Sequence, residues 1–464
     1  MHKIYVKDLL DKCNGSLIIG NKETVLENFS KDTRTINSGD VYVGIKGETF
    51  EGSNLYKEAL EKGAIGCILN DSIKLDENIL NNYKDRFIVM VKDTIKCLQE
   101  LATYKRSLYD IPVIGITGSV GKTSTKDIIA SVLSKKFNVL KTEGNYNNHI
   151  GVPLTILRLK EHNCLVVEMG MNNLGEISLL SKIANPTVSV ITNVGTAHIG
   201  ILKSRENILK AKLEILDGMN DEGILVINND NDMLHNWNLN NDRNVVTFGI
   251  ENNSDYMANN IVSDAYSSSY NVLLDNKDYT FKINIPGSHF VLNGLCALSI
   301  GRIFDINVSD ISEGIENFVL TKRRMQVETI NGITIVNDCY NANLDSMTGA
   351  INYLGSLKNT RKIAVLGDML ELGTYSEELH RKVGNVLFNN KIDIVITVGN
   401  ASKYIKDELI KLGKENNIYS YDSNKEALNK LKEIVCENDT ILIKSSLGMN
   451  FIEVYNGLKE IIIK

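Results

Sequence analysis

The chain has 464 residues, 43% of them hydrophobic, which is enough for several buried cores at the usual ~100–200 residues per domain. A net charge of -6, with lysines and arginines scattered along the chain, argues against a nucleic-acid or anionic-lipid partner. The N-terminus has no continuous apolar segment and no run approaches the ~18 apolar residues of a membrane span, so we expect a cytoplasmic protein without a membrane span.

Residues 1–92 combine short strand patterns with one helical stretch. The strands are predicted in "GDVYVGIKG", "GAIGCILN" and "RFIVMVKDT". The helical stretch "NLYKEALEKG" closes on a glycine, as helices often do. We therefore predict a small N-terminal α/β domain over residues 1–92.

Residues 93–318 begin with the amphipathic stretch "TIKCLQELATYKRSL". Short apolar runs rich in β-branched residues then alternate with helical segments, namely "IPVIGIT", "CLVVEMG" and "TVSVITNVG". This alternation predicts a doubly wound parallel sheet. The later segment "YNVLLDNKDYTFKINI" predicts a hairpin that turns around Asn276 and is appended to the sheet.

Residues 319–464 return to the same alternation, with strands predicted in "KIAVLGD", "DIVITVG" and "DTILIKSS". They predict a C-terminal, Rossmann-like domain. The predicted fold class is thus α/β in three domains.

The chain has seven widely spaced cysteines, an odd number without a C-x-x-C pair. We interpret them as reduced thiols that fill small apolar sites.

The segment "GITGSVGKTST", residues 115–125, has Gly121, Lys122 and Thr123 of the phosphate-loop pattern G-x-x-x-x-G-K-S/T, with Ile116 at the first glycine position. A strand that enters a glycine turn and then a helix aims backbone N–H groups at one point, where a phosphate can bind. Lys122 would neutralise phosphate charge and the Thr123 hydroxyl would ligate Mg²⁺. A plain glycine turn with an exposed lysine is the alternative, which this strand-to-helix context disfavours.

Three further residues are ambiguous by themselves. Glu168 ends a predicted strand, where a carboxylate can hold Mg²⁺ but is more often only solvated. His198 follows the next strand and alone would be an ordinary loop histidine. Lys212, in the helical stretch "SRENILKAKLEIL", alone would be a solvated surface lysine.

Together the motifs resemble the Mur ligases, the ATP-dependent amide-forming enzymes of peptidoglycan precursor synthesis. Their phosphate loop is T-G-x-x-G-K-S/T, which residues 117–123 match without the first glycine of the general pattern. The other motifs follow in the family's order over essentially the whole chain: "DTRTINSGDVYVGIKGETFEG", "EGNYNNHIGVPLTIL", "EMG", "TNVGTAHIG", "AKLEI", "GSHFVLNGL" and "NDCYNANLDSM". Several unrelated motifs in one order are more specific than any motif alone.

Within the family, "NDCYNAN" followed by "VLGDMLELG" resembles the members that join D-Ala-D-Ala to a UDP-N-acetylmuramoyl-tripeptide. The D-N-P-R or D-x-P-N type motif of the preceding ligase is absent. The resemblance implies an acyl phosphate intermediate, an active site completed by domain closure, and a monomer.

The resemblance also implies roles for individual residues. For ATP it implies Gly118, Ser119, Val120, Gly121, Lys122, Thr123, Ser124, His289, Asn293, Arg324 and Asp338. For two Mg²⁺ ions it implies Thr123, Glu168, His198 and Lys212, the last as a carbamate, which replaces a cation of pKa ~10.4 by an anion. For the UDP-linked and peptide substrates it implies Thr33, Arg34, Gly47, Asn145, Asn147, Asn148, Tyr340, Asn341 and Asn343. Catalytic roles fall to Lys122, His198, Lys212 and Arg324.

The chain departs from the family pattern at three places. His289-Phe290 replaces H-N, and Glu51-Gly52-Ser53 replaces D-G-H. Lys444-Ser445-Ser446-Leu447 replaces K-G-S-R, which leaves open how the tripeptide or the dipeptide is bound.

Several alternatives therefore stay open. One is a related ligase that adds D-Ala-D-Ser or D-Ala-D-lactate. Another is a P-loop NTPase regulator without ligase activity, which gives no reason for His198, Lys212 and "NDCYNAN" together. A third is a precursor-sensing protein, against which Lys122, Thr123 and Glu168 argue. Whether the third residue of the tripeptide is lysine or diaminopimelate is also open.

Overall fold

The structure is a computed structural model that describes residues 2–47, 49–238 and 243–463. Its main sheets follow one another along the chain: a mixed N-terminal sheet, then two larger sheets in which most neighbouring strands are parallel. The predicted α/β class is confirmed. The domain limits 1–92, 93–318 and 319–464 stay a prediction, with which the placement of the sheets agrees.

The N-terminal sheet has the strand order β2-β7-β6-β5-β4, and every strand predicted there is present. The strands of this sheet are β2 (Ser16–Ile19), β4 (Phe29–Ser30), β5 (Val41–Val43), β6 (Gly66–Asn70) and β7 (Phe87–Val91), while β1 (Ile4–Tyr5) and β3 (Val25–Leu26) form a separate antiparallel pair. The helices are α1 (Val6–Cys13), α2 (Tyr56–Glu61), α3 (Glu77–Asn82) and α4 (Thr94–Ser107). Asp93 begins α4 by accepting hydrogen bonds from the Ile95 and Lys96 N–H groups, and α4 then packs between α1 and the central helices.

The central sheet has the order β16-β15-β14-β13-β12-β11-β8-β10-β9, parallel from β9 to β14. Its strands are β8 (Val113–Thr117), β9 (Val139–Lys141), β10 (Cys164–Glu168), β11 (Val188–Ile191), β12 (Ile224–Asn228), β13 (Val245–Gly249), β14 (Tyr256–Ser263), β15 (Ser268–Leu274) and β16 (Lys277–Ile283). Its helices are α5 (Lys122–Leu133), α6 (Gly151–Leu157), α7 (Glu176–Ala184), α8 (Ile199–Leu202), α9 (Arg205–Leu213), α10 (Asp232–Asn238), α11 (Ser288–Ile303) and α12 (Val308–Glu316). After β8 the chain adds β9 and β10 on one side and β11 on the other, so the carboxyl end of β8 is a topological switch point, where ligands bind in such sheets.

The predicted hairpin is β15–β16, and Asp275 and Asn276 occupy its two-residue turn. Both have left-handed backbones, with φ of 51° and 61°. Such angles at both central positions give the turn whose twist matches that of the strands, and Asp and Asn tolerate them.

The C-terminal sheet has the order β17-β18-β22-β19-β20-β21, and its only antiparallel pair among the described strands is β17–β18. The strands are β17 (Gln326–Ile330), β18 (Ile333–Asp338), β19 (Arg361–Gly367), β20 (Ile394–Val398), β21 (Ile418–Tyr421) and β22 (Asp439–Lys444). The helices are α13 (Leu344–Ser356), α14 (Ser376–Asn389), α15 (Lys403–Lys411), α16 (Asn424–Ile434) and α17 (Ile452–Ile463).

The seven cysteines are all free thiols, as predicted. Six of them are buried, but Cys436 is exposed, so the prediction that each fills an apolar site is wrong for Cys436. Within the part of the chain that is described, we find no helix with the length and hydropathy needed to cross a membrane.

Candidate active site

A cavity of about 530 Å³ lies between the carboxyl end of the central sheet and the C-terminal sheet. Most of the residues that the sequence singled out for nucleotide, metal or peptide binding line it. They are Ser119, Val120, Gly121, Lys122, Thr123, Ser124, Asn145, Asn147, Asn148, Glu168, His198, His289, Asn293, Arg324, Asp338, Tyr340, Asn341 and Asn343. Gly118 adjoins this set in the chain, whereas Lys212, Thr33, Arg34 and Gly47 lie outside the cavity lining.

The loop after β8 has a shape that requires glycine. Gly118 has φ of 154°, and a Cβ there would lie 1.8 Å from Thr192 Oγ1. Gly121 has φ of 82° and directly precedes α5, so the loop turns into the helix as the sequence predicted. Ile116, at the position of the missing glycine, is a fully buried residue of β8.

The end of β11 holds this loop in place. Thr192 Oγ1 donates a hydrogen bond to the Val120 carbonyl at 2.6 Å. Asn193 Oδ1 accepts hydrogen bonds from the Ser119 and Val120 N–H groups, each at 3.0 Å. Thr192 and Asn193 belong to the motif "TNVGTAHIG" but had no predicted role, because no local pattern shows that they contact a loop about 70 residues earlier in the chain.

Lys122 bends back over the loop, where its Nζ donates to the Gly118 carbonyl at 2.7 Å. Burial lowers its pKa, Glu168 opposes that shift, and Arg324 adds to it. The Lys122 ammonium group therefore lies close enough to the Glu168 carboxylate and the Arg324 guanidinium for both charges to change its pKa.

Glu168 ends β10 at the same edge and is only 2% exposed. Its Oε1 accepts a hydrogen bond from Asn147 Nδ2 at 2.8 Å. Its Oε2 is buried without a hydrogen-bond partner among the described residues. A buried carboxylate oxygen without a partner is unfavourable unless a cation or donor binds to it, so the interpretation of Glu168 as a merely solvated residue is wrong.

His198 lies just before α8 with φ of 64°, a left-handed conformation that is uncommon outside glycine. Its Nδ1 is 2.9 Å from Glu371 Oε2, an ion-pair distance, although the orientation falls outside hydrogen-bonding geometry. The proximity of His198 lowers the pKa of Glu371. Glu371 follows β19, so this contact joins the central and C-terminal sheets.

Lys212 lies on α9 and is 1% exposed, so the alternative interpretation, a solvated surface lysine, is wrong. Its Nζ has no hydrogen bond or ion pair among the described residues. Burial, and next the charge of Lys122, lower its pKa well below the ordinary value. Lys212 is therefore a buried amine that binds its proton weakly.

The C-terminal wall carries Arg324, Asp338 and Lys444. The Arg324 guanidinium lies 4.1 Å from the centre of the Tyr340 ring, and its Nε is buried without a hydrogen-bond partner among the described residues. Asp338 Oδ2 accepts from Lys444 Nζ at 2.5 Å, and its Oδ1 accepts from the Met325 N–H at 3.1 Å. The Asp338 carboxylate is thus already bound within its own sheet by Lys444, a lysine without a predicted role.

His289 and Asn293 lie one helical turn apart on α11. Asn293 Oδ1 accepts a hydrogen bond from Thr125 Oγ1 on α5 at 3.1 Å. Burial lowers the pKa of His289 to about 4, so its ring is neutral at pH 7.

Two of the predicted substrate residues also begin helices. Asn148 Oδ1 accepts from the N–H groups of Ile150 and Gly151, at 3.2 and 2.9 Å, where α6 begins. Asn343 Oδ1 accepts from the Ser346 N–H at 2.9 Å and caps α13. These side-chain oxygens are therefore committed to the fold, and any substrate contact falls to their other atoms.

The predicted uridine-nucleotide residues lie on the N-terminal unit, apart from the cavity, and Glu48 of that segment is outside the described residues. Thr33 is buried, whereas the Arg34 side chain is 84% exposed and pairs with Asp32 at 2.7 Å. The Gly47 N–H donates to the Phe50 carbonyl at 2.9 Å. Leu447, in contrast, lines the cavity.

No cluster of three or more His, Cys, Asp and Glu side chains suited to a metal occurs within residues 2–47, 49–238 and 243–463. Four residues were predicted to bind metal: Thr123, Glu168, His198 and Lys212. Only Glu168 and His198 among them are His, Cys, Asp or Glu residues, so together they cannot form such a cluster. A site made from them would need oxygen ligands from the nucleotide or water as well.

Known proteins resemble the chain over its whole length. Family models match it at residues 116–301 ("Mur ligase middle domain") and at residues 323–447 ("Mur ligase, glutamate ligase domain"). It is 36% identical to the UDP-N-acetylmuramoyl-tripeptide–D-alanyl-D-alanine ligase of Bacillus subtilis (strain 168), over 99% of each chain. It is 31% identical to the ligase of that name in Escherichia coli (strain K12), again over 99% of each.

Solved structures agree with this similarity. A crystal structure of MurF from Acinetobacter baumannii has a TM-score of 0.88 and 27% identity, over 99% of both chains. The MurF ligase of Thermotoga maritima in complex with ADP has a TM-score of 0.82 and 28% identity, over 94% of this chain and 98% of that one.

Proposed function

The chain belongs to the Mur ligase family, and we propose that it joins D-Ala-D-Ala to a UDP-N-acetylmuramoyl-tripeptide while ATP is cleaved to ADP and phosphate. One observation carries the proposal. The phosphate loop and Arg324 line the same cavity in a chain that is similar, over its full length, to ligases with this activity.

The reaction has two steps. The terminal carboxylate of the tripeptide attacks the γ-phosphorus of ATP, so that an acyl phosphate forms and ADP leaves. The amine of D-Ala-D-Ala then attacks the acyl carbon, loses a proton, and displaces phosphate from the tetrahedral intermediate. No protein nucleophile is required; the protein must orient three anionic reactants and stabilise the charge on the transferred phosphoryl group.

The phosphate loop and Arg324 supply that stabilisation. The start of α5 lines the cavity, so its free N–H groups would bind an anion there, and Lys122 would add a positive charge beside them. Arg324 adds a second positive charge from the opposite wall, and its buried, unpaired Nε supports a role in binding an anion. The ADP complex of the Thermotoga maritima relative supports a nucleotide here. His289 and Asn293 are proposed to contact the adenine, and Asp338 the ribose.

Magnesium would be held by Thr123 and Glu168 at one site and by His198 at a second. Glu168 Oε2, buried without a partner among the described residues, fits a cation, and a carboxylate and a hydroxyl are ligands that Mg²⁺ accepts. When bound, Mg²⁺ neutralises phosphate charge and polarises the phosphoryl group.

Lys212 is proposed to act as a carbamate. Its neutral amine nitrogen attacks the carbon of CO₂, a C–N bond forms, and a proton leaves to water, which converts the side chain into an anion. Burial without a partner among the described residues and a lowered pKa both favour the neutral, nucleophilic amine that this step needs. Lys212→Ala should abolish ligation, and bicarbonate should not restore it; near-normal activity in this variant would remove the carbamate.

The remaining parts of the proposal concern the chain as a whole. Residues 1–92 would bind the uridine nucleotide through Thr33, Arg34 and Gly47. Residues 93–318 would bind ATP, and residues 319–464 would complete the site through Arg324 and Asp338, with Tyr340, Asn341 and Asn343 beside the peptide together with Asn145, Asn147 and Asn148. The protein would act in the cytoplasm, where ATP is available, and as a monomer, because one chain supplies every residue named here.

A second candidate is a ligase for D-Ala-D-Ser or D-Ala-D-lactate. It stays open because of Leu447, which lines the cavity half-exposed at the position of the arginine in the K-G-S-R pattern. An apolar side chain cannot form the paired hydrogen bonds that arginine makes with a carboxylate, so this chain would bind the end of its substrate differently from that pattern.

Phosphate release from ATP tests the proposal. The purified protein is assayed with UDP-N-acetylmuramoyl-tripeptides that end in lysine or diaminopimelate and with D-Ala-D-Ala, D-Ala-D-Ser, D-Ala-D-lactate or L-Ala-L-Ala. We expect release that requires both substrates and is fastest with D-Ala-D-Ala. Preference for another dipeptide or depsipeptide would favour the second candidate, release independent of both substrates would indicate an NTPase regulator, and binding without release would indicate a sensor.

A further inference from the structure

The loop that carries His198, residues 195–200, follows β11 and includes the first two residues of α8, and the C-terminal unit contacts it from two directions. On one side, the Thr196 N–H and Oγ1 both donate to Asp345 Oδ2, at 3.0 and 3.1 Å. On the other side, the segment after β19 packs on α8, and the Tyr375 hydroxyl donates to the Lys203 carbonyl at 2.7 Å. The position of this loop is therefore tied to the docking of the C-terminal unit.

The two glycines of this loop are explained by that docking. A Cβ at Gly195 would lie 2.2 Å from Asp345 Oδ2. A Cβ at Gly200 would lie 2.4 Å from the Glu371 carbonyl oxygen and 2.7 Å from the Gly373 nitrogen, which are backbone atoms and cannot turn aside. Neither glycine has a left-handed backbone, so a side chain is excluded by the neighbouring unit and not by local conformation.

The same docking brings Glu371 to His198. His198 Nδ1 is buried and has no hydrogen bond from the described residues, and Glu371 Oε2 lies 2.9 Å from it. The Glu371 side chain is 55% exposed, so a small rotation can bring the carboxylate into line with the ring nitrogen. With Nδ1 against Glu371, Nε2 is the nitrogen left for a ligand in the cavity. A carboxylate on the far nitrogen of a metal-binding histidine fixes the ring and raises its basicity.

We propose that Glu371 is a positioning residue that the C-terminal unit supplies to His198 when it docks, so that docking and cation binding at His198 strengthen each other. The proposal rests on the proposed function for the identity of the cation. Coupling between two equilibria is reciprocal: if docking tightens cation binding by a given factor, the cation favours docking by that same factor. The active site is then complete only in the docked form, so an acyl phosphate would form only when the closed site excludes water.

The test compares Glu371→Ala, Glu371→Gln and Gly200→Ala with the control Glu377→Gln, an exposed glutamate on α14 that pairs with Arg381. Mn²⁺ binding is measured by electron paramagnetic resonance in the presence of ADP, and the radius of gyration by small-angle X-ray scattering with and without Mn²⁺ and ADP. Neither measurement needs a muramoyl substrate. The ligase proposal can therefore fail in the phosphate assay while the Glu371 proposal holds, and the Glu371 proposal can fail while the ligase proposal holds.

Glu371→Ala is expected to weaken Mn²⁺ binding by about 10–100-fold, and Glu371→Gln by less, because the amide keeps a hydrogen-bond acceptor. Gly200→Ala should weaken Mn²⁺ binding by a similar factor. It should also enlarge the radius of gyration, because the added Cβ would prevent the C-terminal unit from docking. It should not lower the unfolding temperature, because alanine favours helix over glycine by ~1 kcal/mol. The control should match the unaltered protein. Unchanged Mn²⁺ affinity in Glu371→Ala, or an unchanged radius and affinity in Gly200→Ala, would overturn the proposal.

Discussion

The two walls of the cavity are built differently. On the central wall, the loop after β8 and Glu168 are bound by neighbours from the same sheet, Thr192, Asn193 and Asn147. On the C-terminal wall, Asp338 is bound by Lys444, whereas Arg324 has a buried Nε without a partner among the described residues. The phosphate loop of the central wall is thus organised before any ligand arrives. Each wall also keeps one buried polar atom without a partner among the described residues, the acceptor Glu168 Oε2 on the central wall and the donor Arg324 Nε on the C-terminal wall.

Loss of the loop lysine is the largest change expected on the central wall. Lys122→Ala should lower kcat by about 10²–10³-fold, because one preorganised positive group beside the transferred phosphoryl is removed. Phosphate release measures it. Lys135→Ala, which removes a surface lysine paired with Glu313, is the control and should keep full activity. A normal kcat in Lys122→Ala would mean that the loop amides bind phosphate without the lysine.

Loss of Lys444, on the C-terminal wall, should mainly lower the stability of the protein. Lys444→Met should lower the free energy of unfolding by about 2–3 kcal/mol, because Asp338 keeps only the Met325 N–H as a donor. Urea unfolding measures this value. Lys459→Met, which breaks the more exposed pair with Glu328, is the control and should lose ~1 kcal/mol or less.

A double variant sharpens the interpretation of Lys444. Asp338→Asn combined with Lys444→Met should recover part of the stability, because no carboxylate is then left unpaired. If the two losses simply add, the ion pair is not what stabilises this wall.

A smaller effect is expected when Arg324, the positive side chain of the C-terminal wall, is replaced. Arg324→Lys should raise the KM for ATP about tenfold while the stability is little changed, because lysine keeps the charge but loses the planar group that stacks on Tyr340. Steady-state kinetics measure it, with the surface variant Arg302→Lys as the control. A KM unaffected by the exchange would show that only the charge at this position matters.

The smallest effect expected concerns pH. The folded-state pKa of His289 is lowered to about 4, so between pH 6.5 and pH 4 the unfolded chain binds a proton here that the folded chain does not. Stability from this residue is complete above pH 6.5 and is lost as the pH falls toward 4. His289→Gln should reduce the slope of unfolding free energy against pH in this window. It should not remove the slope, because burial also lowers the pKa of His380.

Urea midpoints at a series of pH values measure this slope. His149→Gln, at an exposed histidine, is the control and should leave the slope unchanged. A slope in His289→Gln equal to that of the unaltered protein would indicate that His289 takes up its proton in the folded state as well.

Local patterns predicted much of the fold correctly. The strands quoted from the sequence, the turn at Asn276 and the start of α5 at Lys122 follow from alternation, turn chemistry and the glycines, which act over a few residues. The position of Glu168 at the end of β10 followed in the same way. The burial of Lys212 did not, because its neighbours belong to elements distant in the chain, and an amphipathic helix gives no sign of what covers its polar side.

The sequence by itself determined the positions of the quoted strands along the chain, the glycine turn of the phosphate loop and the family to which the chain belongs, because each depends on residues close together or in a fixed order. Only the tertiary structure decided which distant side chains meet. Asn193 meets the loop amides within the central unit, and Lys444 meets Asp338 within the C-terminal sheet, because neighbouring strands bring together residues that are distant in the chain. Glu371 meets His198 because the two sheets pack with their carboxyl ends facing one cavity. Strand pairing between distant segments and docking between sheets are not specified by any local pattern.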